Sequence, residues 1–268
     1  MSYSLSGKTY LITGVSNRKS VAYHVARQIE ELGGDLIFTV QSTEHEARVG
    51  KLFNNRKIYQ LDVLNDQSVR DFGVMLENEG TMIDGFLHSI AFANYSQGVK
   101  PFHDTNWSDF SEAYHISTFS LMSLSGALKG VLKQDASVVT ISISNTRVGA
   151  YGYMGPIKAA LDSTVSYLAK SFSEFSKVRF NAVCAGPLKT SASAGIPGYI
   201  DNYIYSEKLT LRGENLKTEE VASTAVFLMG PLSSGINATG VLVDAGMSAN
   251  YFDQKVVKTT VNNWNDEL

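Results

Sequence analysis

The chain has 268 residues, 44% of them hydrophobic and 18% charged, with a formal net charge of -3. That composition is ordinary for a globular protein with a large core, and it offers no basic field for a nucleic-acid backbone. Cys184 is the only cysteine, which excludes an intrachain disulfide and a multi-thiolate metal centre, and its apolar neighbours predict a core position. No basic-then-apolar signal pattern opens the chain and no apolar run approaches the ~18 residues of a membrane span, so a cytoplasmic location without a membrane partner is expected.

In chain order, short apolar runs alternate with helical periodicity. Thr9–Thr13 reads as a buried strand ending at Gly14. Val21, Val25, Ile29 and Leu32 then recur at helical spacing, and Gly33-Gly34 ends that helix. Leu36–Val40 and Ile58–Leu61 read as the next two strands. A helix follows Asp66, and a strand covers Gly85–Ser89. A long helix is expected from about Asn106 to Leu132, with Trp107, Phe110 and Tyr114 facing the core. Ser137–Ile143 is a strand, the helix carrying Lys158 extends to about Phe175, and another strand covers Arg179–Val183. A helix over Thr218–Leu228 and a strand at Val241–Val243 precede a tail from Met247 to Leu268. Without a linker or an internal repeat, residues 1–268 are expected to form a single α/β domain, a Rossmann-type doubly wound parallel sheet.

The first strand–helix junction suits a pyrophosphate. Gly14 follows the strand, the helix begins near Ser20-Val21, and the junction offers free amides at the positive end of a helix dipole. A three-glycine fingerprint would place glycine where Arg18 and Ser20 stand, so the glycine pattern alone is weak. Arg18 and Lys19 either face the phosphates or are solvated turn charges. After the second strand comes Gln41-Ser42-Thr43-Glu44, which holds a carboxylate and no cation for a 2′-phosphate; this favours NAD(H) over NADP(H). Asp62, ending the third strand, can accept from an adenine amino group or simply start a turn.

Tyr151 lies seven residues before Lys158. A phenol donates to a carbonyl oxygen that is gaining negative charge, and a fixed cation beside it strengthens that donation. Seven residues is about two helical turns, which would put both groups on one helical face. The segment from Leu188 to about Glu214 is long for a strand–helix connection and reads as a substrate-covering lid. Its small residues Ser191 to Gly195 predict mobility without ligand, with Tyr199 and Tyr203 closing on an apolar tail. His24, His45, His88, His103 and His115 show no metal-ligand spacing, and no metal is expected.

Five segments carry a more specific signal in their order along the chain. They are Thr13-Gly14-Val15-Ser16-Asn17-Arg18-Lys19-Ser20-Val21-Ala22-Tyr23, Asp84-Gly85-Phe86-Leu87-His88-Ser89-Ile90-Ala91-Phe92-Ala93, Tyr151 to Lys158, Ala185-Gly186-Pro187-Leu188-Lys189-Thr190 and Val243-Asp244-Ala245-Gly246. Together, over roughly residues 5 to 250, they resemble the bacterial enoyl-[acyl-carrier-protein] reductases, a divergent branch of the short-chain dehydrogenase/reductase superfamily. That branch has Tyr-x6-Lys, matched by Tyr151 and Lys158. The commoner Tyr-x3-Lys would need a tyrosine where Met154 stands.

The resemblance implies NADH-dependent reduction of the trans-2 double bond of an enoyl thioester on acyl carrier protein, in type II fatty acid biosynthesis, by a homotetramer. It implies catalytic roles for Tyr151 and Lys158, with Lys158 also on the nicotinamide ribose. Adenine contacts fall on Asp62 and Val63, and pyrophosphate contacts on Ser20 and Val21. Ser89, Ile90 and Ala91 line the cofactor's path, Leu188 and Thr190 border the nicotinamide amide and phosphates, and Gly14 and Gln41 complete the cofactor set. Phe92, Ala93, Tyr153, Met154 and Tyr199 are the expected substrate contacts. Four departures stand out: Ile143 occupies the place of a second aromatic, His115 replaces a frequent aspartate, Tyr153 is unusual where it stands, and the tail from Met247 to Leu268 is longer than usual. A carbonyl (3-oxoacyl or other) reductase of the same superfamily and a non-catalytic dinucleotide-binding sensor remain the alternatives.

Overall fold

Strands that are apolar on both faces must be covered on both, and the chain does this with helices. The computed structural model describes residues 3–98, 100–190, 193, 196 and 198–266. The strands are β1 (Thr9–Thr13), β2 (Asp35–Val40), β3 (Lys57–Gln60), β4 (Ile83–His88), β5 (Leu132–Ile143), β6 (Arg179–Ala185) and β7 (Thr239–Val243). They form one sheet in the order β3-β2-β1-β4-β5-β6-β7, and every pairing is parallel. The order reverses between β1 and β4, and a ligand crevice is expected at the carboxyl ends of strands at such a switch point.

The helices are α1 (Val21–Glu31), α2 (Thr43–Leu52), α3 (Asp66–Asn78), α4 (Trp107–Tyr114), α5 (Ser120–Ala127), α6 (Met154–Phe172), α7 (Tyr199–Leu209), α8 (Thr218–Met229) and α9 (Gln254–Asp266). Strand alternation sorts the core into two layers. Tyr10, Ile12 and Phe38 pack with Val25 and Ile29 of α1 and with Val221 and Ala225 of α8. Leu11, Phe86 and Val138 point the other way, onto Phe72 of α3, Leu124 of α5 and Leu161 of α6.

Three local expectations need correction, and one helix, α2, is additional to them. The long helix stops at Ala127, with a π-helical turn at His115–Phe119 between α4 and α5, because Leu132 already pairs with Ile83 in the sheet. Trp107 is 75% exposed at the start of α4, beyond the edge of the core. Helix α2 lacks an apolar stripe, with Val49 its only buried residue, and is instead favoured by the Ser42 cap on the His45 amide, acidic Glu44 and Glu46 first and Lys51 last. Tyr151 is not on the helix of Lys158: it ends a 3-10 turn, Gly149–Tyr151, three residues before α6 starts.

The ends of β1 and β4 are stitched together. The Thr13 hydroxyl donates to the Leu87 carbonyl at 2.9 Å and accepts from the Ser89 amide at 3.2 Å. Gly14 follows with φ +83°, and a Cβ there would lie 1.9 Å from the Ser89 carbonyl oxygen. Only glycine permits both that conformation and that approach.

Candidate active site

A cavity of about 590 Å³ opens along the carboxyl ends of the strands. Gly14, Ser20 and Val21 line it beside the start of α1, Gln41 at the end of β2, and Asp62 and Val63 after β3. Ser89, Ile90, Ala91 and Phe92 enter from the loop after β4, Leu188 and Thr190 from the loop after β6. Tyr151, Met154, Lys158 and Tyr199 complete this set. Residues up to 185 positions apart in sequence thus share one wall because parallel strands all end on the same side.

Ala93 and Tyr153, expected to contact substrate, are not among the residues that line this cavity. Tyr153 is 6% exposed, its hydroxyl donates to the Asn94 carbonyl, and its ring packs against Tyr95 and Phe110. Burial, with Tyr95 next to it, pushes its phenol up to about 12. Ala93 packs against the same small cluster. Arg18 and Lys19 are exposed on their turn and do not line the cavity.

Lys158 is 6% exposed, and its ammonium donates to the Ile141 carbonyl at 2.9 Å. Burial lowers it to about 8, against the opposing pull of Asp162 one turn on. It is therefore still largely a cation at neutral pH. Asp162 is itself raised by burial, and Cys184, half-buried rather than in the deep core, is pushed up to about 12 by burial and by Asp162. Burial also raises the Tyr151 phenol, so in this structure desolvation outweighs any help from the lysine. Tyr199, the first residue of α7, donates to the Leu188 carbonyl and accepts from its amide, each at 2.8 Å. Of Ser191 to Gly195, only Ser193 is among the described residues, and the expected mobility of the others lies outside them.

Behind the wall His88 is fully buried between the hydroxyls of Thr140 and Ser120, at 2.9 and 2.8 Å. Ser120 spends its proton on the Ile116 carbonyl, so its oxygen accepts from Nε2 and Nδ1 accepts from Thr140. Burial first, and the Lys158 charge second, lower the histidine to about 3 and keep it neutral.

Sequence reasoning passed over His45, Glu112, Ile116 and Ile196, all of which line the cavity. The first sits on the unforeseen α2. Glu112 and Ile116 are one turn apart across the junction of α4 with the π-turn, and that spacing was the available signal. Glu112 accepts a hydrogen bond from the Asn94 side-chain amide at 3.1 Å, so the cavity lining includes a carboxylate already engaged by a neighbour. Ile143, where an aromatic was expected by resemblance, also faces the cavity.

The profile of the family described as enoyl-(acyl carrier protein) reductase matches residues 14–248. The enoyl-[acyl-carrier-protein] reductase [NADH] of Nostoc sp. is 34% identical over 251 residues, covering 91% of this chain and 97% of that protein. The enoyl-[acyl-carrier-protein] reductase [NADPH] of Staphylococcus aureus is 32% identical, covering 92% and 98%. The crystal structure of the enoyl-[acyl-carrier-protein] reductase (NADH) from Aquifex aeolicus superposes with a TM-score of 0.86 at 34% identity, covering 91% of this chain and 97% of that one.

Proposed function

The chain belongs to the enoyl-(acyl carrier protein) reductase family, and we propose that it reduces the trans-2 double bond of enoyl thioesters on acyl carrier protein with NADH, in type II fatty acid biosynthesis. The observation that carries this reading is that one cavity is lined both by Tyr151 and Lys158 and by the strand-end residues Gly14, Ser20, Gln41, Asp62 and Ser89, together with the apolar Phe92, Ile116, Met154 and Ile196.

The residues present fit a dinucleotide. Gly14 lets the turn after β1 lie directly against the Ser89 backbone, and α1 begins without a side-chain cap, so its first amides remain available to phosphate oxygens. Ser20 and Val21 would hold the pyrophosphate, Asp62 and Val63 the adenine, Ser89 to Ala91 the middle of the cofactor, and Leu188 and Thr190 the nicotinamide end. Relatives of nearly equal identity are named for NADH and for NADPH, so similarity does not decide between them. The carboxylate of Glu44 beyond Gln41, on the first turn of α2, favours NADH.

NADH, when bound there, would supply the hydride needed at the β-carbon. Tyr151 donates a hydrogen bond to the thioester oxygen as negative charge collects there, a contact that matters most in the transition state. Lys158, anchored on the Ile141 carbonyl, holds the ribose hydroxyls and favours the developing anion by its charge. Phe92, Met154 and Tyr199 would border the acyl chain, with Leu188 and α7 as part of the cover over it. A cytoplasmic homotetramer is the assembly this reading implies, supported by apolar side chains left exposed at the sheet edge, such as Leu242 on β7.

The test is NADH oxidation with crotonyl and longer enoyl thioesters, beside 3-oxoacyl thioesters. Turnover confined to the enoyl series is expected. Faster turnover of the 3-oxoacyl series would make the protein a carbonyl reductase, and dinucleotide binding without any turnover would make it a sensor.

A further inference from the structure

A cation does stand near the ribose end of the cavity, but it is already engaged. Arg48 of α2 donates to the Glu44 carboxylate, one turn earlier, at 2.7 Å, and reaches the Ser16 carbonyl at 3.4 Å. Ser16 on the turn after β1 and Gln41 and His45 around the end of β2 all line the cavity. The guanidinium therefore sits on the rim where those two segments meet, beside the place a 2′-phosphate occupies in this type of sheet. The pair is open to solvent, with the carboxylate side chain 79% and the guanidinium side chain 43% exposed. An ion pair this exposed is held weakly.

We infer that Glu44 determines dinucleotide specificity by engaging Arg48, so that the preference for NADH comes from an ion pair and not from the lack of a cation. Two effects act together. The carboxylate repels a 2′-phosphate directly, and it withholds the guanidinium whose fork geometry would bind that phosphate in two places. The inference rests on the dinucleotide reading of the cavity and goes beyond it by naming the residue pair that sets the choice.

The experiment is fluorescence titration of NADH and of NADPH against the wild type, Glu44→Gln, Arg48→Gln and the double variant, with enoyl thioester turnover measured alongside. Glu44→Gln is expected to tighten NADPH binding about tenfold, equivalent to ~1.4 kcal/mol, and to leave NADH binding nearly unchanged. Most of the gain should be lost in the double variant, where only the relief of direct repulsion remains. A gain undiminished by the loss of Arg48, or an unchanged NADH to NADPH ratio in Glu44→Gln, overturns the assignment while NADH binding and turnover leave the proposed function standing. Failure of the wild type to bind either dinucleotide overturns both.

Discussion

Replacing Tyr151 with phenylalanine removes one oxygen from the cavity wall and little else. If that oxygen serves the transition state, kcat and kcat/KM should fall together, on the order of 100-fold for a lost oxyanion donor, while NADH affinity stays nearly intact. Lys158→Ala should act differently, weakening NADH binding by roughly 1.5–3 kcal/mol, the range for a hydrogen bond involving a charged group. Direct NADH titration beside steady-state kinetics separates the two, and full turnover by Tyr151→Phe would remove the phenol from the chemistry. Tyr153 offers no substitute donor, because its hydroxyl is spent on the Asn94 carbonyl. The sequence could show a phenol and an ammonium seven residues apart. It could not show that a 3-10 turn intervenes, or that burial moves both pKa values towards the neutral forms.

Among the elements, Gly14 and α7 carry the sharpest expectations. Gly14→Ala forces a Cβ to within 1.9 Å of the Ser89 carbonyl oxygen at a φ of +83°. Dinucleotide binding should be lost, and the melting temperature should fall by several degrees, as ~1 kcal/mol or more of backbone strain dictates. Normal binding by this variant would show that the turn does not depend on the close approach. Tyr199→Phe removes both hydrogen bonds that tie α7 to Leu188. Amide exchange within Tyr199–Leu209 should accelerate in that variant and slow again on adding NADH with a substrate analogue; equal rates in all states would argue against a cover that responds to ligand. The strands were legible because apolar runs bounded by glycine have few other solutions. Helix α2 was not, since its stability comes from a cap and from charge order and not from an apolar face. The break at Ala127 was also hidden, since Leu128, Val131 and Leu132 keep an apolar spacing that suits a helix as well as the turn into β5.

For the whole molecule, the buried neutral His88 makes stability depend on pH. Its folded value of about 3 lies below the ordinary 6.5, so between those limits the unfolded chain takes up a proton that the folded chain refuses. Its contribution is complete above about pH 6.5 and is lost as pH falls, at roughly 1.4 kcal/mol per unit. Thermal melts from neutral to mildly acidic pH should therefore fall more steeply for the wild type than for His88→Gln; parallel slopes would mean the histidine already carries its proton. Assembly is checked by light scattering, with a mass of four 29.2 kDa chains expected and a monomer counting against the tetramer. Architecture at this scale was readable from the alternation of periods, whereas the join between β1 and β4 was not, because nothing local marks two segments about 75 residues apart as touching. That join has a consequence for how the protein is made. An emerging chain that has passed Gln60 already holds β1, α1, β2 and β3, yet its phosphate turn still lacks the Leu87 carbonyl and Ser89 amide that fix Thr13. The cradle is thus completed only once β4 has left the ribosome, and a truncated βαβ fragment grafted elsewhere should inherit the strands without the affinity.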